Sequence, residues 1–352
     1  LIEAKRYSLA FDLRDRSYVH VLDLKVFGAT IFSDSRSSYL VLRGLDADYL
    51  SHFMLVSRDL ISSRNQDSGI VLHGEQNTLE DSRLSYSAGN GVTVMGRAHV
   101  IKNNVIHDVA YSGADRAAVA MGCSCGSSSD HLVIQNTLYN AARSILFHYY
   151  TQRARILYND MSYAGLQLDD LGITYTFETD GGGTEIAYNL VHDNEAANLG
   201  LGIYLDNGSS NYLVHHNVVW NVEDALRLNL PSRNNLAYNN TLLATDNSVD
   251  YWGASHNAKD MSGTEIYNNI ANRPIRINYN AKESTNLVAS LEAIGFEDPA
   301  TRRYTLRSSS PAVDRGLSLS PYTDGYRGLA PDLGAYESGN APWRAGSSLA
   351  RE

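Results

Sequence analysis

In the middle of the chain, His148, Glu178 and Asp206 each stand eleven residues before an asparagine, respectively Asn159, Asn189 and Asn217. Asn229 stands ten before Asn239, and the four asparagines are 30, 28 and 22 residues apart. A repeat that keeps its frame while varying one position points to a scaffold with chemistry placed on it. If the asparagines set the register, these four residues share one strand position in consecutive coils, with parallel strands about 4.8 Å apart. Side chains two positions away face the same way. That adds Tyr150, Asp180, Tyr204 and Arg227 to an outward surface and turns Phe177 and Leu205 inward. The run LQLDDLG brings Asp169 and Asp170 from a turn.

Carboxylates gathered in this way repel, so one holds a raised pKa unless a cation sits between them. Two chemistries suit such a cluster. In one, a protonated acid donates while a second carboxylate serves as nucleophile or base. In the other, carboxylate and carbonyl oxygens hold Ca²⁺. Several of these residues also have a plain structural role. Asp180 before the GGG run and Asp206 before NGSS suit turns that bond to their own backbone. Asp169 and Asp170 suit a loop, Glu178 a solvated face, and His148 an exposed or stacked strand position.

The elements that must carry these residues are short strands. Each unit between Ile145 and Asn239 is a β-rich run, a polar or Gly-rich turn, a second β-rich run ending in Asn, and a short apolar run. Asn104 and Asn136 continue the series backwards and Asn268 continues it forwards. No segment sustains a 3.6-residue period, which excludes a helical or leucine-rich solenoid. Asn tolerates left-handed backbone and can bond to its own copies in neighbouring coils. The pattern predicts an all-β chain, a right-handed parallel β-helix, with coils over residues 1–280. An irregular C-terminal cap over 281–340 contains four of the seven prolines, and 341–352 reads as a loose tail. A solenoid end needs such a cover for its open core and strand edges.

Composition agrees with one elongated body: 43% hydrophobic and 19% charged residues over 352 positions. A net charge of −10 excludes a general nucleic-acid surface, which must be basic. No apolar run is long enough to insert into a membrane. Cys123 and Cys125, one residue apart, read as unpaired thiols. The chain starts without Met and already in strand-like pattern, as a piece entered mid-fold.

The units TDGGGTEIAYNLVHDN and GIYLDNGSSNYLVHHNVVWN, with the ending FEDP…YTLRSSSPAVDRG…APDLGAYE, resemble the right-handed parallel β-helix carbohydrate-active proteins. This is the broad pectate-lyase-like and polygalacturonase-like group. The polygalacturonase signature is not complete: Asp169–Asp170 stands without the Gly-His and Arg-x-Lys that should follow. The resemblance implies a secreted, surface or periplasmic protein acting on a polysaccharide or oligosaccharide. The expected reaction is glycoside hydrolysis, with Glu178 and Asp206 as the acid/base pair and Asp170 as a further catalytic carboxylate. Asp169, Asp180, His148, Tyr150, Tyr204, Arg227 and Asn229 would tune them or hold substrate. Hydrolysis requires no cofactor. The runner-up is a Ca²⁺-assisted lyase or epimerase on a uronate, in which an Arg, His or Tyr removes the proton. No Lys lies between Lys102 and Lys259, which weakens that reading. The third is a non-catalytic carbohydrate-binding β-helix.

Overall fold

In the computed structural model, which describes residues 8–50, 69–113, 115–122, 127–253 and 258–350, three parallel sheets run the length of the molecule. The first has 12 strands, from Leu9–Asp12 to Asn247–Asp250. The second and third have 11 each, ending at Lys282–Ser284 and Leu287–Val288. Successive coils pair strand on strand, which is a right-handed parallel β-helix. Each coil buries one residue per strand in a column: Leu79, Ile101, Val133, Ile156, Ile186 and Val214 stack in register along the second sheet. Alternation with period 2 puts these inside and their neighbours outside.

Between the second and third sheets the chain turns through one residue with positive φ, then one buried asparagine. Asn104, Asn136, Asn159, Asn189 and Asn217 form the ladder: Asn159 Nδ2 donates to Asn189 Oδ1 at 3.0 Å, and Asn189 Nδ2 to Asn217 Oδ1 at 3.0 Å. Each also donates to a carbonyl of a neighbouring coil, as Asn189 does to Ile156 O at 2.8 Å. Buried amides must find partners, and stacking supplies them. The ladder continues through Asn240 and Asn269, not Asn239 and Asn268. Those two occupy the preceding left-handed position, at φ +50° and +57°, in line with Tyr158, Tyr188 and His216.

The C-terminal segment does not simply plug the end. Ile294, Phe296, Tyr304, Leu333 and Ala335 pack on Val218, Trp220 and Ile270, along the outer side of the third sheet. The stretch expected to be loose is bound as well. Trp343 stacks on Tyr336, Gly346 N donates to Tyr158 O at 2.9 Å, and Ser348 N donates to Asn103 Oδ1 at 2.7 Å. The left-handed corners leave peptide groups and side chains pointing outward, and the tail pairs with them. Cys123 and Cys125 lie outside the described residues. Among the described residues no helix is long and apolar enough to cross a membrane.

Candidate functional site

The outer face of the first sheet carries the chemistry, in rows that cross the strands Leu146–His148, Leu171–Phe177, Gly200–Asp206, Asp224–Leu228 and Asn247–Asp250. One row reads Phe147, Tyr175, Tyr204, Arg227 and Asp250, each in register with the next. The outward row two residues on holds Phe177 opposite Asp206. Asn229, one residue past the next strand, continues it. The row between them, Thr176, Leu205 and Leu228, faces the core.

Asp206 is the centre of this face. Its Oδ2 accepts the Tyr175 hydroxyl at 2.8 Å; its Oδ1 accepts Asn229 Nδ2 at 2.6 Å and the backbone N–H of Asn207 at 2.9 Å. Asn229 Nδ2 also reaches the Tyr204 hydroxyl at 2.8 Å. Each side has a buried arginine. Arg227 is paired with Asp224, donating through Nε at 2.8 Å and through Nη2, and lies 3.6 Å from Asp250. Arg143 pairs with Asp115, donates to Asp170 O at 2.8 Å, and spreads over the rings of Tyr175 and Phe147 at 4.9 and 5.7 Å. Burial opposes both guanidinium charges, but the aspartates beside them win and raise their pKa.

Asp170 stands at the rim with φ +53°, its side chain exposed. Partial desolvation and then the Asp206 carboxylate raise its pKa, against the lowering pull of Arg143 and Arg227. The phenols of Tyr149, Tyr175 and Tyr204 are pushed up by burial and by nearby carboxylates, so they remain neutral donors.

Five expected site residues lie elsewhere. His148 points into the core, fully buried, in register with Met121 and with both ring nitrogens lacking a hydrogen-bond partner; burial lowers its pKa to about 3. Glu178 sits at an exposed corner with φ +46°, its N–H on Asn207 O, one residue past the position facing Asp206. Phe177 takes that position, half-buried and outward rather than inward. Asp180 is a turn residue of the second sheet, accepting Gly182 N at 2.9 Å and Asn211 Nδ2 at 2.8 Å. Asp169 accepts Ala197 N at 2.8 Å and so ties its turn to the next coil. Tyr150 is 48% exposed at a corner with φ +49°.

His148 is off the row because Phe147 to Arg155 takes eight steps where Tyr204 to Leu213 takes nine, and for Glu178 the physical reason is a register slip of the opposite sense. Between Asp180 and Thr184 the chain takes four steps where Ser210 to Tyr212 takes two, and Gly182 and Gly183 at φ +55° and +92° absorb the surplus. The turn after Asp206 offsets one residue of this by being one longer. A net slip of one reverses the face. With the ladder at Asn240, Asn229 is eleven residues back, like Asp206 from Asn217. Arg143, Asp115, Asp224 and Asp250 were not anticipated. A usable signal was a charged residue one to four positions ahead of four first-sheet strands: Asp115, Arg143, Asp170 and Glu223.

Ca²⁺ does not fit this arrangement. Among the described residues no three His, Cys, Asp or Glu side chains converge as a cation seat, and both Asp206 oxygens face hydrogen-bond donors. Two cavities of about 180 and 430 Å³ lie on the cap side instead. Their shared acid, Glu337, accepts the backbone N–H groups of Arg327 and Asp332 and so serves the cap.

Among solved structures, the chain is similar to pectate lyase Pel9A at 16% identity and a TM-score of 0.65, covering 93% of this chain and 87% of that one. It is also similar to the A-module of the Azotobacter vinelandii mannuronan C-5 epimerase AlgE6, at 13% identity and a TM-score of 0.48, covering 78% of this chain and 65% of the module. No curated protein sequence matches the chain. These likenesses concern the fold. The family described as "Right handed beta helix region" matches residues 58–242, more than half of the chain, and the protein belongs to that family.

Proposed function

We propose that the protein is a secreted polysaccharide-cleaving enzyme, a glycoside hydrolase working through Asp170 and Asp206. Asp170, its pKa raised by partial burial and by its acidic neighbour, is suited to protonate the leaving oxygen. Asp206, fixed by Tyr175, Asn229 and Asn207, is suited to act as base toward water or as nucleophile at the anomeric carbon. Tyr149 and Phe177, half-buried over the buried rings of Phe147, Tyr175 and Tyr204, offer the aromatic surface for a pyranose ring. Glu178, the expected partner of Asp206, is replaced in that role by Asp170, because its corner position faces Asn207.

The observation that carries this reading is the Asp206 carboxylate: 6% exposed, outward-facing, and held from two neighbouring coils beside a second acid. Pectate lyase Pel9A shares the fold, and elimination from a uronate is the second reading. It needs a base near neutrality. Arg143, Arg227 and the three tyrosines are all shifted away from that range, and His148 is sealed in the core. The test is digestion of a glycan panel read two ways. Hydrolysis gives new reducing ends without ultraviolet-absorbing unsaturated products; elimination gives both. Retention of glycan on an affinity gel without turnover would favour the binding module.

A further inference from the structure

We propose that the glycan taken by this face is uncharged, not a uronate; the inference rests on the glycan-cleaving reading and narrows its substrate. A uronate carboxylate entering a partly dehydrated groove needs a free cation or a bridging metal, since desolvation otherwise opposes its binding. Among the described residues, each arginine of the face lies beside an aspartate and no three acidic, His or Cys side chains converge on it. Arg227 is engaged by Asp224, whose other oxygen is held by Asn247, and its Nη2 also lies 3.6 Å from Asp250. Arg143 is engaged by Asp115 and the Asp170 carbonyl, with its flat side covered by aromatic rings. Arg116 is 3% exposed, and its Nη1 donates to Asp115 O at 2.7 Å.

Five aspartates (115, 170, 206, 224 and 250) thus stand against three arginines. An added carboxylate would meet Asp170 and Asp206 before any uncommitted positive charge. The chain as a whole repels anions as well, at −10 with no Lys between 102 and 259. What the face does present beside its acids is neutral: the half-buried rings of Tyr149 and Phe177, over the buried rings of Phe147, Tyr175 and Tyr204. These suit hydroxyl groups and the apolar faces of a pyranose.

The test is calorimetric binding to Asp206→Asn, which blocks turnover and, by removing one negative charge, biases the result toward anions. Neutral xylo-, gluco- and galacto-oligomers are compared with oligogalacturonate and oligomannuronate of equal length. At least one neutral oligomer is expected to bind about tenfold or more tighter than either uronate. Separately, Asp250→Asn and Asp115→Asn each remove a negative charge beside an arginine. Each should raise uronate affinity by about tenfold relative to neutral oligomers, with a steeper salt dependence. Tighter binding of a uronate to the unaltered charge pairs overturns the inference and leaves the glycan reading standing. Binding of neither set overturns both. Neutral binding without cleavage by the wild type upholds the inference while removing hydrolysis.

Discussion

The Tyr175 hydroxyl donates to Asp206 Oδ2 at 2.8 Å across adjacent coils, so the position of the central acid is set by the stacking of the solenoid. Tyr175→Phe removes this donor and leaves the ring. Loss of one hydrogen bond to a charged group costs about 1.5–3 kcal/mol. The expected result is a fall in kcat/KM of roughly ten- to hundredfold with little change in fold, measured by steady-state kinetics and circular dichroism.

Asp170 should titrate above the ordinary carboxylate range, because burial and then Asp206 disfavour its charge. A raised folded-state pKa means that this group favours folding at acid pH and loses that contribution as pH rises through the raised value. The alkaline limb of kcat/KM should follow the same proton if Asp170 is the acid. Carboxyl-carbon NMR titration of Asp206→Asn should show the Asp170 pKa moved downward; an unmoved or higher value contradicts the coupling.

His148 gives the opposite sign. Its folded-state pKa of about 3 lies below the ordinary 6.5, so its contribution to stability is present above 6.5 and is lost as pH falls toward 3. His148→Leu removes two unpartnered ring nitrogens from the core. It should stabilise by about 1–3 kcal/mol and flatten part of the acid destabilisation, to which His73, His99, His131 and His216, also lowered by burial, contribute as well. Cleavage activity should persist. Melting temperature against pH, with an activity assay, checks both.

The ladder predicts a contrast between neighbours. Asn240→Ala leaves the Asn217 amide and the Val214 carbonyl without their partner, at a cost of about 2–4 kcal/mol. Asn239→Ala removes a bond to Asp332 O and a longer one from Asn268 Nδ2, which keeps Leu317 O as partner, at a cost of about 1 kcal/mol. Urea unfolding of the two variants should differ accordingly; equal midpoints would contradict the register.

The fold was legible because its signals are local: alternation, turn residues and an asparagine every coil need only a few neighbours to be read. The site was legible in part. Asp206, Asn229, Tyr204, Arg227 and Asp170 meet on one face, but His148, Glu178, Asp180, Asp169 and Tyr150 do not join them. For His148 the difference lies in a path one residue shorter than in the Asp206 coil, and for Glu178 it lies in the Gly181–Gly183 run, whose extra residues change register without changing the look of the repeat. Counting from the asparagines passed through that bulge. Arg143 and Asp115 escaped because their pairing spans 28 residues and two turns, and no local pattern announces it. The tail was misjudged for a related reason: the partners of Ser347 and Ser348 lie more than 240 residues away at Asn103.

The most direct test compares Asp206→Asn, Asp170→Asn and Glu178→Gln on whichever neutral glycan the wild type cleaves. The account predicts that the first two lower kcat by roughly 10²–10⁴, while Glu178→Gln retains wild-type turnover. Loss of turnover in Glu178→Gln, with Asp206→Asn or Asp170→Asn still active, would contradict it.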